Sequence, residues 1–136
     1  MTKLPTDLEI FECIYAMYLA DFQNFPKEKP TRTAKIFVPV DLEKVAKQLE
    51  SDAYELFGRL YHHLNHKYGY KSDNDAQVNL FAPLVGGDRH CVNFPYLAAV
   101  LAEHRLEDKR NRWSFRISLV ALGVALASLV TKFVVP

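Results

Sequence analysis

Cysteine is scarce in these 136 residues: Cys13 and Cys91 are the only two, they fall in different expected elements, and they form no CxxC. That excludes a disulfide scaffold and a cysteine-rich metal site, and leaves two buried free thiols as the expectation for a domain in the cytosol. Glycine is sparse too, five in all, and its one adjacent pair, Gly86-Gly87, sits in no GxGxxG or GxxxxGKS/T frame. A hairpin turn is expected there instead of a phosphate-binding loop. No nucleophile, base and orienting group stand at a usable spacing, and there is no internal repeat or low-complexity tract. The chain is therefore expected not to be an enzyme, and to need no cofactor or metal. Asp7, Glu9 and Glu12 interrupt the N-terminal region, so no secretory signal is expected there. Acid is missing from the other end. All sixteen Asp and Glu lie within residues 1–108 beside twelve Lys and Arg, whereas residues 109–136 hold five bases and no acid.

What that end has in place of acid is one long apolar run, Ile117 to Pro136, behind the basic cluster Lys109, Arg110, Arg112 and Arg116. Twenty helical residues rise about 30 Å, roughly the thickness of a bilayer's hydrocarbon core. Only the fifteen residues Ile117 to Thr131 are free of charge before Lys132. Spanning then requires that the segment begin near Trp113 and Phe115 and that Lys132 snorkel to the far headgroups. Trp113, the sole tryptophan, stands where an interfacial anchor would. Between residues 119 and 130 the only polar side chain is Ser128, so no polar stripe faces water. The run is read as a transmembrane helix; the alternatives are a buried helix of a soluble fold or a helix that pairs with another protein. By the positive-inside rule residues 1 to 112 face the cytoplasm, giving a single-pass protein with a cytosolic domain (1–112) and a membrane helix (113–136). Ala121 with Ala125, and Gly123 with Ala127, form small-xxx-small pairs through which such helices self-associate as homo-oligomers.

Ahead of the anchor, Thr6 and Glu9 make a capping box for a first helix to Phe22, with Leu8, Phe11, Ile14, Tyr15, Tyr18, Leu19 and Phe22 at helical spacing. Gln23 to Thr33, with Pro26 and Pro30, is expected to be an exposed loop, and Lys35 to Val40 a short strand that Pro39 confines to an edge. Asp41 caps a second helix, Leu42 to Leu49. Ser51 is expected to cap a third helix running to Tyr68, with Leu56, Leu60 and Leu64 spaced by four and Gly69 as its C′ stop. Gln77 to Pro83 and Arg89 to Phe94 alternate in polarity on either side of Gly86-Gly87, which predicts a β-hairpin. A fourth helix, Pro95 to about Arg112, is free to run on into the anchor.

A long helix, a short strand, two tightly joined helices and a hairpin resemble a winged helix-turn-helix domain. The likeness covers roughly residues 6 to 110 and is carried by DLEKVAKQLESDAYELFGRLYHHLNHKYGY, residues 41–70, with Gln77 to Phe94 as the wing. The resemblance implies an α+β fold: a small winged-helix-like domain of three to four helices, a short strand and a hairpin wing, here followed by a single transmembrane helix. This chain departs from the usual small residue or glycine between the two helices, having Glu50-Ser51-Asp52.

The resemblance also implies that function resides on the outward face of the third helix, which in DNA-binding members enters the major groove. Off the leucine face stand Tyr54, Glu55, Arg59, His62, His63, His66 and Lys67, with Arg89 and His90 on the wing. Arg59 is the best placed to read a base, and Lys67, Lys71 and Arg89 to touch phosphate. Yet Glu55, Asp73, Asp75 and Asp88 lie among these bases, a poor footprint for a polyanion. The expected activity is therefore a membrane-anchored regulatory or adaptor module that recognises a protein. The alternatives are a membrane-tethered DNA-binding regulator and a membrane-active effector gated by self-association. His62 and His66, one turn apart, are read as solvated polar residues and not as metal ligands, although protonation would add charge to their face. Gly58 within the helix costs about 1 kcal/mol relative to alanine, and close packing of another backbone is expected there ahead of a shallow spot on the exposed face.

Overall fold

A computed structural model describes residues 2–134; Met1 lies outside it, as do Val135 and Pro136, the last two residues of the expected span. The chain divides into two compact units, Met1–Leu101 and Ala102–Pro136.

The first unit is α+β. Helix α1 spans Asp7–Gln23, and its capping box forms as expected: Glu9 N–H donates to Thr6 Oγ1 (3.2 Å) and Thr6 N–H to Glu9 Oε1 (3.2 Å). It buries Ile10, Phe11, Ile14 and Tyr18. Strand β1 (Phe37–Pro39) follows, then α2 (Leu42–Gln48), whose first turn is capped by Asp41 through Lys44 N–H (3.2 Å). Next come α3 (Ala53–Gly58), a π-helical segment (Arg59–Leu64) and α4 (Asn65–Tyr68) in unbroken succession. Strands β2 (Tyr70–Lys71) and β3 (Gln77–Val78) pair with each other, while β4 (Phe81–Val85) and β5 (Asp88–Asn93) form the hairpin. The main sheet has the antiparallel order β1-β5-β4, and β1 carries Pro39 at its edge, where a missing N–H disturbs no ladder.

The core gathers Val45 and Ala46 of α2, Leu56, Leu60 and Leu64 of the third helical run, and Val38, Phe81 and Val92 of the sheet. Each fully buried aliphatic or aromatic side chain contributes about 1.5–3 kcal/mol of transfer free energy. Phe94 is clamped between Tyr15 (5.4 Å, 18°) and Phe22 (4.7 Å, 19°), which fixes the exit of the hairpin against α1. Cys91 is buried and Cys13 half-buried, both free thiols.

Four local expectations are corrected. Ser51 does not cap α3: Asp52 Oδ1 accepts from Tyr54 N–H (2.9 Å) and Glu55 N–H (3.0 Å). Ser51 belongs instead to a Schellman close of α2, with Ser51 N–H donating to the Ala46 carbonyl (2.9 Å) and Glu50 N–H to that of Lys47 (3.2 Å). Glu50 takes the left-handed position (φ 55°) that glycine ordinarily fills, and the Ser51 hydroxyl is buried with no partner. Gln77 to Pro83 is not one strand, since Gln77-Val78 pairs with β2 and the hairpin begins only at Phe81. Gly69 ends α4 in extended backbone (φ −65°, ψ 140°), and a Cβ there would stand 2.5 Å from the Asn65 carbonyl oxygen, so crowding and not handedness requires glycine. The loop after α1 is not uniformly exposed either. Arg32 is buried and donates to the carbonyls of Asp21 (2.8 Å), Phe22 (3.3 Å) and Lys35 (2.7 Å), covering the free C-terminal carbonyls of α1.

The hairpin turns at Gly86-Gly87 as predicted, with Gly86 at φ 58° and the Thr33 side chain so near that a Cβ would clash at 2.6 Å.

Candidate functional site

The expected face of the third helical run is present, but its charges are not all free. Tyr54 is 88 % exposed, and Glu55, His62, His63, His66, Lys67 and, on β5, Arg89 are exposed as well. Arg59 is only half-exposed. Its Nη2 lies 2.7 Å from Asp7 Oδ1, and Lys67 Nζ lies 3.5 Å from Asp7 Oδ2, so one carboxylate from the first turn of α1 holds both cations. Burial alone would raise the Asp7 pKa, but the hydrogen bond and charge of Arg59, with Lys67 behind them, outweigh it and keep the carboxyl below its ordinary range. The residue best placed to read a base is thus committed to an internal ion pair.

The π-helical turn explains the geometry on the other side of the run. Leucines spaced strictly by four overshoot a 3.6-residue turn, and the wider π turn from Arg59 to Leu64 takes up the excess, so that Leu56, Leu60 and Leu64 are all buried. Just beyond it, Asn65 meets β4. The Asn65 amide donates to the Phe81 carbonyl (2.7 Å) and accepts from Phe81 N–H (2.8 Å), completing the strand's backbone pairing much as another strand would.

Beside it, Tyr61 Oη lies 3.1 Å from His90 Nδ1, and the Phe57 ring meets Tyr61 (4.7 Å) and His90 (6.0 Å). Burial pushes the Tyr61 phenol up to about 12, and its hydroxyl also donates to the Ala82 carbonyl at 3.5 Å. His90 sits at φ 56°, an uncommon conformation for a side-chain-bearing residue within a strand. This cluster forms one wall of an open groove of about 760 Å³ lined by Tyr18, Pro39, Leu42, Tyr54, Phe57 and His90. Tyr18 reaches across it to accept Asp41 N–H (2.8 Å).

No protein-family model, curated protein or solved structure matches this chain. The functional reading rests on the residues themselves. Phe57 and Tyr61 were not singled out by sequence pattern; the signal that would have found them is the tyrosine and phenylalanine spaced by four on a helix whose leucines already fill the core.

Gly58 is corrected as well. A Cβ there would meet only His62 Cδ2, at an ordinary 3.9 Å, so no backbone packs against it. It lies in a second, smaller depression of about 350 Å³ with Leu4, Pro5, Ile10, Leu56 and Arg59, the shallow spot that was the alternative. Among the described residues no group of three or more His, Cys, Asp and Glu is placed to hold a metal ion.

Helix α5 (Phe94–Val134), whose first residues belong to the first unit and the rest to the second, is the one described helix long and apolar enough to cross a membrane, with its most apolar stretch at mean hydropathy 2.1 and none of that stretch buried. Lys109, Arg110, Arg112, Trp113, Arg116 and Lys132 are all exposed along it, as are Ala121, Gly123, Ala125 and Ala127. The hydroxyls of Ser118, Ser128 and Thr131 donate to the carbonyls of Ser114 (3.0 Å), Val124 (3.0 Å) and Ser128 (2.8 Å), so none needs water.

Proposed function

We propose that this chain is a membrane-anchored, non-enzymatic regulatory or adaptor module. In this reading a winged-helix-like domain recognises a protein partner from the cytoplasmic side, and α5 fixes it to the bilayer. The element order and the hairpin paired to β1 support the winged-helix reading, and the uncovered apolar helix supports the anchor.

One observation carries the choice of partner. Asp7 holds Arg59 and Lys67, the two bases a duplex would most need, while Tyr54 and Phe57 stand exposed beside a broad groove. Binding nucleic acid requires several free cations at once. Exposed aromatics beside a concave surface of mixed polarity are instead the anchors of protein interfaces.

The test uses the full chain in zwitterionic nanodiscs, with a photoreactive amino acid in place of Tyr54 or, as control, of the exposed loop residue Lys27. Presented with a soluble extract of the cell of origin, the Tyr54 probe is expected to give a protein adduct of discrete mass that the Lys27 probe does not. Salt-dependent binding of mixed-sequence duplex that Arg59→Ala weakens would replace this reading with DNA recognition.

A further inference from the structure

Where α5 meets the expected membrane boundary its bases are not spread evenly round the helix. At 100° per residue, Lys109, Arg112, Trp113 and Arg116 fall within roughly 100° of arc, while Arg110 lies about 100° away from Lys109. Those four residues, with Asp108, line one shallow cavity of about 400 Å³. Lys109 and Arg116 are about 10 Å apart along the axis. Helical Cβ atoms tilt toward the N-terminus, so the Arg116 side chain leans back toward Arg112 and Trp113 and away from the apolar run. Arg112 is already held by a carboxylate, Asp108 Oδ2, at 3.2 Å, in a pair whose side chains are 75 % and 40 % exposed. Such an exposed pair exchanges readily for another anion.

We propose that this face is a binding site for the phosphate of an anionic phospholipid headgroup. Arg112 and Arg116 would supply bidentate donors, Lys109 a third charge, and the Trp113 indole an N–H at the interface. The proposal rests on the reading of α5 as a membrane anchor, and it goes further by assigning a lipid class and a particular set of side chains. The headgroup would displace Asp108 from Arg112, so Asp108 acts as a competitor that holds the site in order when no anion is bound. Arg110, off the face, would add only to the general surface charge.

The chain carries its own probe, since Trp113 is its only tryptophan. The full chain is reconstituted in phosphatidylcholine containing a tracer of brominated phosphatidylglycerol or, in parallel, of brominated phosphatidylcholine, and quenching of Trp113 is compared. Phosphatidylglycerol is expected to be enriched at the indole, by about fivefold for each base engaged. Arg112→Gln with Arg116→Gln should cut the preference to the roughly fivefold that Lys109 alone supports, Asp108→Asn should increase it, and Arg110→Gln should leave it nearly unchanged. Equal quenching by both lipids in the natural chain overturns the headgroup site and leaves the anchor standing. Quenching by neither removes the anchor reading and the site together. A loss with Arg110→Gln as large as that of the double variant overturns the particular face in favour of diffuse attraction. A preference abolished by inorganic phosphate but kept in chloride of equal ionic strength would assign the face to soluble phosphate instead.

Discussion

The two ends of α5 draw on the same residue types and meet opposite surroundings. Phe94, Leu97, Val100 and Leu101 are buried in the first unit, with Pro95 and Ala99 exposed among them, whereas the leucines, valines and phenylalanine from Ile117 to Val134 are all exposed. Composition therefore does not decide which solvent a helix is built for. The first stretch returns its large apolar groups every three or four residues to one side, where they join the buried core and Phe94 stacks on Tyr15 and Phe22 of α1. The second is apolar nearly all the way round and exposed throughout, long and apolar enough to cross a membrane. Charge divides in the same way, with thirteen acids to eleven bases in Met1–Leu101 and three acids to six bases in Ala102–Pro136. The first unit carries a small excess of acid, and most bases of the second gather just ahead of the apolar run.

A pair of substitutions would break this contrast if it were false. Leu64→Ala removes a fully buried side chain and is expected to destabilise the domain by about 2–5 kcal/mol, measured by urea denaturation, without releasing the protein from membranes. Val124→Arg, near the middle of the run, is expected to disfavour insertion by about 2.5–3.5 kcal/mol, seen as protein lost in a carbonate wash, with the denaturation midpoint of the domain unmoved. Cross-effects in either direction would mean that the two ends do not answer to separate solvents.

A smaller effect sharpens the domain side of the comparison. The Tyr61 phenol titrates at about 12 in the folded protein, largely because it is buried, against about 10 when unfolded. The unfolded state therefore loses its proton first. The stability that Tyr61 contributes is complete below about pH 10 and is lost as pH rises from there to about 12. Allowing for its partial exposure, the loss is on the order of 1 kcal/mol. Denaturation midpoints followed from pH 8 upward should fall in that window for the natural chain and flatten for Tyr61→Phe; identical curves would show that the phenol is no more protected than a surface tyrosine.

Much of this arrangement was legible in the sequence because it is written in spacing. The capping box of α1, the Asp41 cap, the leucines of the third helical run, the turn at Gly86-Gly87 and the continuous apolar helix all depend on residues close together in the chain. What was not legible depends on partners far apart. Asp7 and Arg59 are 52 residues apart, Tyr61 and His90 are 29 apart, and Arg32 reaches back 11 residues to cap α1. No local pattern foretells that a carboxylate in the first turn of one helix will neutralise the bases on another. The break between β3 and β4 belongs to the same class. Val78 and Leu80 alternate correctly for a single strand, but Asn65 from the helix takes the backbone of Phe81 and the pairing starts afresh there. The candidate site was thus legible as a face, and its free and committed charges were not.

The smallest predicted effect concerns the turn between α2 and α3, where pattern and structure disagree in an instructive way. The Schellman geometry needs a left-handed residue at position 50, and the chain supplies glutamate at φ 55°. A Cβ is disfavoured in that conformation, but Glu50 has something glycine lacks: its carboxylate pairs with Lys3, whose own backbone N–H donates to the Glu50 carbonyl at 2.8 Å. That pair holds the N-terminal segment to the turn. It is exposed on both sides, at 69 % and 63 %, so water and salt screen it and its worth is small. Glu50→Gly keeps the backbone hydrogen bond and relieves the strain, and the melting temperature of the domain is expected to rise by a few degrees. A fall instead, largest at low ionic strength, would mean that the Lys3 pair outweighs the strain and that glutamate was placed there to fasten the N-terminus.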